Sequence, residues 1–362
     1  MTITPDRKTI LIVDDTPEHI EILVHCLRDE YATKVALDGE QALQMVNTDP
    51  KPDLILLDVI MPGTIDGYGV CSRLKAGKRS RNIPVIFTTA LGSVHDESHG
   101  FELGAVDYIS KPFNTTLVRA RIKNHIELKG LRDNLEVQVR ERTRELALTQ
   151  DATIYGLGIL AEFRDTETGM HIKRTQTYVE LLARHLQGNP KFSGFIDETT
   201  IRLLVNSAPL HDIGKVGVPD NILRKPGPLT TEEFAQIKKH TTLGRKVVDQ
   251  IQADMHDEMA SAFLHFAKEV TYTHHECWNG NGYHGLKGEE IPVSGRLMAM
   301  ADVYDALTSK RVYKPALPHE EALRIITEGD GRTLPEHFDP EVLQAFIDLG
   351  EEFRAVSEKW QD

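Results

Sequence analysis

The chain has few cysteines, no long hydrophobic run and a deficit of positive charge. Its three cysteines, Cys26, Cys71 and Cys277, fall at no spacing typical of a zinc site and indicate reduced thiols in a cytosolic protein. No stretch approaches the roughly 18 consecutive apolar residues of a membrane-spanning helix, and the N-terminus has no apolar signal core. The formal net charge of −13 argues against non-specific binding to DNA or to a membrane surface.

The length of 362 residues predicts two domains, because one domain usually has about 100 to 200 residues. Histidine, in contrast, is abundant in the sequence. There are 16, they become denser after residue 165, and several stand beside acidic residues. A single histidine is more often a surface or packing residue, but a clustered set indicates a site.

The first part of the chain, to about residue 125, alternates short β-branched runs with amphipathic stretches. The runs predict strands at Thr9–Val13, Lys34–Ala36, Leu54–Leu57, Val85–Phe87 and Asp107–Ile109. The stretches between them predict helices at Pro17–Glu30, Gly39–Asn47, Tyr68–Ala76 and Glu97–Leu103. This alternation predicts an α/β domain with a doubly wound parallel sheet, whose site lies at the carboxyl ends of the strands.

Residues 115 to about 150 are helical in pattern, charged and free of proline. An imperfect apolar seam is formed by Leu128, Leu131, Leu135, Val139 and Leu146. The segment is either a solvated connecting helix or a short parallel coiled coil that pairs two copies of the chain and transmits a signal. The seam favours the coiled coil, although Arg142 stands where an apolar residue is expected.

After about residue 151 strand patterns become rare and a 3.6-residue period dominates. Helices are predicted at Thr175–His185, Glu198–Ala208, Glu232–Ile251, Met259–His265 and Arg296–Thr308. Thr230 and Glu233 form a capping box ahead of the third of these helices. The second part therefore predicts an all-α domain.

Three carboxylates follow predicted strands of the first domain. Asp14 and Asp15 come after the first strand, and Asp58 comes after the third. Carboxylates that converge at one sheet edge repel each other unless a cation binds, and their hard oxygen atoms suit Mg²⁺. Thr89 and Lys111, after the next two strands, offer a hydroxyl and an ammonium group to a phosphoryl group on Asp58. Each residue alone is weak evidence, since an Asp after a strand is often a turn residue, but all five in this order indicate a phosphoacceptor site.

Residues 7 to 127 resemble the response-regulator receiver family. The resemblance rests on LIVDD, on LLDVIMP around Asp58, on TTA and on SKPF. It implies a phosphoacceptor (Asp58), Mg²⁺ ligands (Asp14 and Asp15), a switch pair (Thr89 and Lys111) with a companion aromatic residue (Tyr108), and a cognate histidine kinase. One departure is the loop MPGTIDG, which is one residue longer between Pro62 and Asp66 than the usual pattern.

The second domain holds a set of histidines and carboxylates distributed over separate predicted helices. Its members are Glu167, His171, His211, Asp212, His240, His274, His275, Asp302 and Asp305. Imidazole and carboxylate groups are ligands of Fe, Mn, Ni or Zn, and the lack of thiolates argues against a structural zinc. A carboxylate such as Asp212 is able to bridge two ions, and a bridged pair suits hydrolysis of a phosphodiester.

Residues 155 to 350 resemble the HD-GYP family of cyclic di-GMP phosphodiesterases. The matching segments are RDTETGMH, HDIGKVGVPD, KPGPLT, HHE with GNGYH, and ADVYDALTSKRVYK. The resemblance implies a hydrolase that converts cyclic di-GMP to pGpG and then to GMP with two or three divalent ions, Fe or Mn being favoured over Ni or Zn. It assigns one ion to His171, His211, Asp212 and Asp302, a second to His240, His274, His275 and the bridging Asp212, and a third in some members to Glu167.

The same resemblance names the catalytic and substrate-binding residues. Asp212 holds the reacting centre, and Lys215 contacts the scissile phosphate and helps to protonate the leaving oxygen. The predicted substrate contacts are Lys215, Tyr283, Arg311 and Lys314, and the fork-shaped guanidinium of Arg311 suits a phosphate.

The departures from this family lie in the loop that gives it its name. GYP is GYH here at Gly282–His284, and HHE continues with Cys277, Trp and Asn instead of a basic residue, Trp and Asp. In the family this loop helps to admit substrate and recruit partners, so the change bears on substrate preference and on a diguanylate cyclase or adaptor partner. His284 or Cys277 either adds a metal contact or makes an altered loop contact, and the loop contact is favoured.

The sequence thus predicts a response regulator with a receiver at 1–127, a helical linker at 128–150 and an all-α HD-type metallohydrolase domain at 151–362. We expect a cytoplasmic homodimer that hydrolyses cyclic di-GMP under the control of phosphorylation. The alternatives are a hydrolase that prefers linear pGpG or another cyclic dinucleotide, and a nucleotide-sensing adaptor with weak catalysis.

Overall fold

A computed structural model of the chain describes residues 7–90, 94–163, 169–254, 258–310 and 315–360. The chain divides into two compact units, Met1–Arg144 and Glu145–Asp362. The division falls inside a long helix, between the boundaries at 127 and 150 that the sequence predicts. Among the described residues, no helix combines the length and the apolar character needed to cross a membrane.

The first unit contains all five predicted strands, joined in one parallel sheet of order β2-β1-β3-β4-β5. They are β1 (Thr9–Val13), β2 (Ala32–Ala36), β3 (Leu54–Asp58), β4 (Val85–Ala90) and β5 (Asp107–Lys111). Every residue of β1 and β3 is buried. Their nearly continuous apolar sequences are typical of central strands covered on both faces.

Helices cover both faces of the sheet, as a doubly wound fold requires. They are α1 (Pro17–Leu27), α2 (Gly39–Met45), α3 (Gly67–Ala76) and α4 (Val94–Glu102). Because alternate strand residues point to opposite faces, Leu11 packs in one core with Val70 of α3, and Ile10 packs in the other with Leu23 of α1.

The linker is part of one unbroken helix, α5 (Thr115–Glu162). Val118 and Ile122 near its start are buried in the first unit, and Ile154 and Ala161 near its end are buried in the second. The sequence-based end at about residue 150 is therefore wrong, because apolar residues beyond it keep the helix packed. Between these ends the predicted seam of Leu128, Leu131, Leu135, Val139 and Leu146 is 57–71% exposed.

The regular elements among the described residues of the second unit are all helices. It contains α6 (Gly169–Leu186), α7 (Glu198–Ser207), α8 (Asp220–Leu223), α9 (Thr231–Asp254), α10 (Glu258–Thr273), α11 (Val293–Thr308), α12 (His319–Glu328), α13 (Pro340–Asp348) and α14 (Gly350–Lys359), with 3-10 turns at Ala208–Leu210, Ile213–Gly217, Gly288–Glu290 and Pro335–His337. The capping box is confirmed: Thr230 N donates to Glu233 Oε2 at 2.7 Å, and Glu233 N donates to Thr230 Oγ1 at 3.2 Å.

Candidate metal centre and phosphoacceptor site

The two central carboxylates of the first unit meet at the carboxyl edge of the sheet. Asp14 follows β1 and Asp58 ends the neighbouring β3, and the two residues are 1% and 5% exposed. Lys111, at the end of β5, places its Nζ 2.9 Å from Asp14 Oδ2 and 2.8 Å from Asp58 Oδ2. One ammonium group thus offsets much of the repulsion between two buried carboxylates. Burial raises the pKa of Asp58, although the hydrogen bond from Lys111 acts in the opposite direction.

The other predicted residues of this edge lie further from its centre. Asp15 is exposed and accepts a hydrogen bond from the hydroxyl of the next residue at 3.4 Å. The Thr89 hydroxyl donates to the carbonyl oxygen of the next residue at 3.0 Å. Tyr108 packs its ring edge-on against Phe101, with centroids 5.9 Å apart.

Two residues of this edge escaped the sequence prediction. His19 Nδ1 lies 3.1 Å from Asp14 Oδ1, which adds an imidazole to the carboxylates. Gly67 packs against Asp58 so closely that a Cβ there would lie 2.1 Å from the Asp58 carbonyl oxygen. The lengthened loop ends just before it, at Asp66, which caps α3 by accepting a hydrogen bond from Gly69 N at 2.8 Å. The loop therefore keeps the close packing beside Asp58.

In the second unit, two glycines let the elements that carry the predicted metal ligands approach each other. A Cβ on Gly214, in the turn after Asp212, would lie 1.9 Å from the carbonyl oxygen of His240 on α9. A Cβ on Gly244 of α9 would lie 2.2 Å from Thr271 Cγ2 of α10. Since neither position has room for a side chain, the turn packs against the backbone of α9, α9 packs against the Thr271 side chain of α10, and their candidate ligands converge.

The first group of candidate ligands consists of Glu162, His171 and His211, all buried. His171 Nε2 lies 3.4 Å from His211 Nε2 and 3.6 Å from Glu162 Oε1. The predicted ligand Asp302 borders this group, with its Oδ1 3.9 Å from His171 Nε2. Glu162 is the nearer carboxylate, although no sequence motif indicated it.

The second group consists of Asp212, His240, His274 and His275, whose ligand atoms lie within 4.8 Å of one another. Asp212 Oδ1 is 3.2 Å from His240 Nε2 and 3.7 Å from His274 Nε2. Asp212 Oδ2 is 3.2 Å from His211 Nε2 of the first group. Asp212 thus presents one oxygen to each group, which is the arrangement of a bridging carboxylate.

The electrostatics favour the metal-binding protonation state of Asp212, His240 and His275, whereas the pKa of His211 is shifted in the other direction. Burial alone would raise the pKa of Asp212, but Lys215, whose Nζ is 2.8 Å from Asp212 Oδ2, and His211 hold it well below the carboxyl range. Burial opposes a charge on His211, yet Asp212 raises the pKa of His211. Burial lowers the pKa of His240 to about 4 and that of His275 well below its ordinary value. Ionised carboxylates and neutral imidazoles are the metal-binding forms.

The orientation of the imidazoles fits a divalent metal ion. The Nδ1 atoms of His211, His240 and His274 donate to the carbonyl oxygens of Ala208, Ile237 and Val270 at 2.9, 2.7 and 3.0 Å. A carbonyl only accepts, so each of these rings, in its neutral form, carries the proton on Nδ1 and the lone pair on Nε2. The Nε2 atoms of His240 and His274 face each other at 3.3 Å, and buried Asp212 Oδ1 has no hydrogen-bond partner among the described residues. A cation between these atoms satisfies all of them.

Other side chains orient His171 by contacting the ring nitrogen that does not face the candidate metal site. Asp305 Oδ2 lies 2.7 Å from His171 Nδ1, and buried Arg174 donates from Nε to Asp305 Oδ1 at 2.7 Å. Such a carboxylate fixes the ring and raises its basicity toward a metal. The sequence placed Asp305 near the site but gave no sign of Arg174, because its partner lies 131 positions away.

Three predicted residues, Glu167, Arg311 and Lys314, lie outside the described residues. Tyr283 lies beside the second group, with its ring centroid 4.5 Å from that of His275. Burial raises the pKa of Tyr283 to about 12, so the phenol keeps a proton that it is able to donate.

His284 of the altered loop makes a packing contact. The Thr241 hydroxyl donates to the Lys238 carbonyl at 2.9 Å, so it accepts a hydrogen bond from His284 Nε2, also at 2.9 Å. The imidazole stacks on Tyr272 with centroids 3.9 Å apart. The Nε2 of His284 therefore carries a proton instead of a lone pair for a metal, in agreement with the loop contact that the sequence favoured.

Two families match this sequence. Residues 10–123 match the response regulator receiver domain, and residues 196–342 match the HD domain. The HD match begins after α6, so it includes His211 and the second ligand group but neither His171 nor Glu162.

Related proteins match along most of the chain. A Vibrio cholerae protein named "Probable cyclic di-GMP phosphodiesterase" is 44% identical over 98% of this chain and 80% of its own length. The "Cyclic di-GMP phosphodiesterase response regulator RpfG" of Xanthomonas campestris is 31% identical over 93% of this chain and 86% of its own length. A second Vibrio cholerae protein, named "3'3'-cGAMP-specific phosphodiesterase 2", is 37% identical over 62% of this chain and 38% of its own length.

Proposed function

The chain belongs to the family of response regulators that join a receiver domain to an HD domain, and from this we propose that it hydrolyses cyclic di-GMP to pGpG and then to GMP. The observation that carries the proposal is Asp212, which faces both ligand groups and has Lys215 Nζ 2.8 Å from its Oδ2. The two relatives that match along most of the chain are named for the same activity.

The HD domain binds divalent metal ions, and we propose two of them with Asp212 as the bridge. One is held by His171, His211 and Asp302, the second by His240, His274 and His275, and Glu167 supports a third. Fe or Mn suits this set of imidazoles and carboxylates better than Ni or Zn. Bound divalent ions make water more acidic and stabilise negative charge on phosphate oxygens.

Hydrolysis adds the hydroxyl of water to phosphorus and breaks the bond to the 3′ oxygen, which must receive a proton. We assign that proton to Lys215, because its ammonium group is held by Asp212 and its side chain is 11% exposed. Tyr283, Arg311 and Lys314 are assigned to the substrate, with the cationic pair on its phosphates.

The input is phosphorylation of Asp58 by a histidine kinase, with Mg²⁺ held at Asp14 and Asp15. A phosphoryl group on Asp58 competes for Lys111, which contacts both Asp14 and Asp58 in the unmodified chain. Thr89 is the second residue of the proposed switch. α5 begins four residues after Lys111, so a change at the switch reaches the helix that continues into the second unit.

The apolar seam of α5 supports a homodimer through residues 128–150, between a receiver at 1–127 and a phosphodiesterase domain at 151–362. Its five apolar residues are 57–71% exposed in the single chain, and pairing two helices would cover them. The GYH loop is the proposed contact for a diguanylate cyclase or an adaptor.

A second candidate substrate is another cyclic dinucleotide or linear pGpG. The observation that favours it is the relative named for 3'3'-cGAMP, which is 37% identical over 62% of this chain. A catalytically weak, nucleotide-sensing adaptor is the alternative of another class, and the complete ligand set argues against it.

The test is product analysis with metal-replete protein purified without oxygen. Cyclic di-GMP, 3'3'-cGAMP and pGpG are turned over side by side, with and without beryllofluoride bound at Asp58. We expect cyclic di-GMP to have the largest kcat/KM and the rate to change when Asp58 is loaded. Binding without turnover of any of the three compounds contradicts the proposal and favours the adaptor.

A further inference from the structure

Glu162 is the last residue of α5 and lies among the imidazoles of the first ligand group. The residue is 1% exposed, and its Oε1 is 3.6 Å from His171 Nε2. With the proposed metal-dependent function as its basis, we propose that Glu162 is itself a ligand of the metal ion at His171 and His211. Neither the sequence motifs nor the HD domain match at 196–342 assigns this residue.

The position of Glu162 is unfavourable for a carboxylate unless a cation is near. The carbonyl groups of the last helical turn give the C-terminal end of a helix partial negative charge, and a carboxylate there is repelled. Burial adds the loss of solvation. A divalent ion between Glu162 and the two imidazoles offsets both effects.

A hydrogen bond does not account for the geometry. The separation of 3.6 Å between Glu162 Oε1 and His171 Nε2 exceeds a normal hydrogen-bond length. His171 Nδ1 already lies 2.7 Å from Asp305 Oδ2, and His171 Nε2 also faces His211 Nε2 at 3.4 Å. One proton on Nε2 bonds to only one of these two neighbours, whereas one metal ion binds His171 Nε2, His211 Nε2 and Glu162 Oε1 together.

The packing of α5 sets the place of Glu162. A Cβ on Gly158, one helical turn earlier, would lie 2.8 Å from the Pro209 carbonyl oxygen and 2.9 Å from Ile172 Cδ1. Gly158 therefore lets α5 rest directly on the segment that carries His211 and on the helix that carries His171. The close approach brings the end of α5 to the ligands of those two elements.

This arrangement gives a metal ligand to the helix that begins in the receiver unit. Val118 and Ile122 hold the start of α5 in the core of the first unit, and Ala161 is buried at its other end. The helix is thus anchored by its own residues in each unit, and its last residue is the proposed ligand.

The test compares wild type with Glu162→Gln and with the exposed control Glu141→Gln on the same helix. Mn²⁺ is titrated into metal-free protein by calorimetry, and metal per chain is measured by elemental analysis. We expect Glu162→Gln to lose one ion per chain or to bind it at least about tenfold more weakly, with Glu141→Gln unchanged. Wild-type stoichiometry and affinity in Glu162→Gln overturn the proposal.

Thermal unfolding of the metal-free proteins separates a ligand from a structural residue. A metal ligand stabilises the folded chain only while the ion is bound, and a neutral amide is less costly to bury than a carboxylate, so metal-free Glu162→Gln should unfold at the same or a higher temperature than metal-free wild type. A lower temperature, or failure of Glu162→Gln to fold, identifies Glu162 as a structural residue and overturns the proposal. The proposed activity is judged separately, because fully loaded wild type that hydrolyses no dinucleotide contradicts the function and leaves the metal titration intact.

Discussion

The receiver unit and the helical unit both bury carboxylates beside a lysine, but the lysine contacts both carboxylates in the first site and one oxygen of Asp212 in the second. At the sheet edge, Lys111 supplies the positive charge and contacts Asp14 and Asp58 at 2.9 and 2.8 Å. In the helical unit, Lys215 contacts Asp212 Oδ2 at 2.8 Å, whereas Asp212 Oδ1 faces the Nε2 atoms of His240 and His274. The first site is therefore stable with its own lysine and suits reversible chemistry, whereas the second needs bound cations in addition to Lys215.

Removal of Asp212 is expected to have the largest effect. Asp212→Asn keeps the size of the side chain but loses the charge that faces both ligand groups, so hydrolysis of cyclic di-GMP should fall by at least about 10³-fold. Asp58→Asn, the same change in the receiver, should keep metal-dependent hydrolysis and lose only the response to a phosphoryl donor. Steady-state kinetics on both variants, with exposed Asp348→Asn as the control, measure the contrast. Comparable losses in Asp212→Asn and Asp58→Asn would show that the comparison is wrong.

The second largest effect is expected at Lys215, the lysine of the helical unit that corresponds to Lys111 in the receiver unit. Lys215→Met should lower kcat by about 10²-fold or more, because a proton donor to the leaving oxygen is lost. Metal content should stay close to that of wild type, since Lys215 binds no ion in the proposed site. Lys215→Arg retains the charge and should recover part of the rate. A normal kcat with a raised KM would instead make Lys215 a binding residue.

The sequence predicts that Asp14, Asp58 and Lys111 meet at one sheet edge, because local patterns determine their positions. The apolar runs of β1 and β3 identify central strands, and the residues that follow them must meet at one edge. The longer end of α10 was missed because Val270 and Thr271 are poor helix formers, and burial of both residues outweighs propensity.

The metal centre is predicted only as far as its motifs extend. His211, Asp212 and His240 stand in recognisable segments, and the structure brings them together. Glu162 gives no such signal, because it lies at the end of a helix whose pattern reflects packing. A ligand of this kind depends on where the helix ends in space, which neighbouring residues do not encode.

Metal removal tests whether only the helical unit depends on cations. An ion present at 100 times its Kd contributes about 2.7 kcal/mol to stability. For a unit of this size, its loss lowers the unfolding temperature by about 5–10 °C. The receiver unit should change less, because Lys111 still holds its carboxylates. Hydrogen exchange measured for individual peptides, with and without a chelator, shows which unit loses protection. An equal loss of protection in both units contradicts the prediction.

The smallest effect is expected at the altered loop, where the comparison turns on whether a histidine binds metal or packs. His284→Ala removes the hydrogen bond to buried Thr241 and the stacking on Tyr272, and should lower the free energy of unfolding by about 1–2 kcal/mol. Metal per chain should not change, because His284 Nε2 carries a proton. His265→Ala, whose side chain is 62% exposed, is the control and should change neither quantity. Loss of an ion in His284→Ala would assign His284 to the metal centre, and denaturant unfolding beside elemental analysis distinguishes the outcomes.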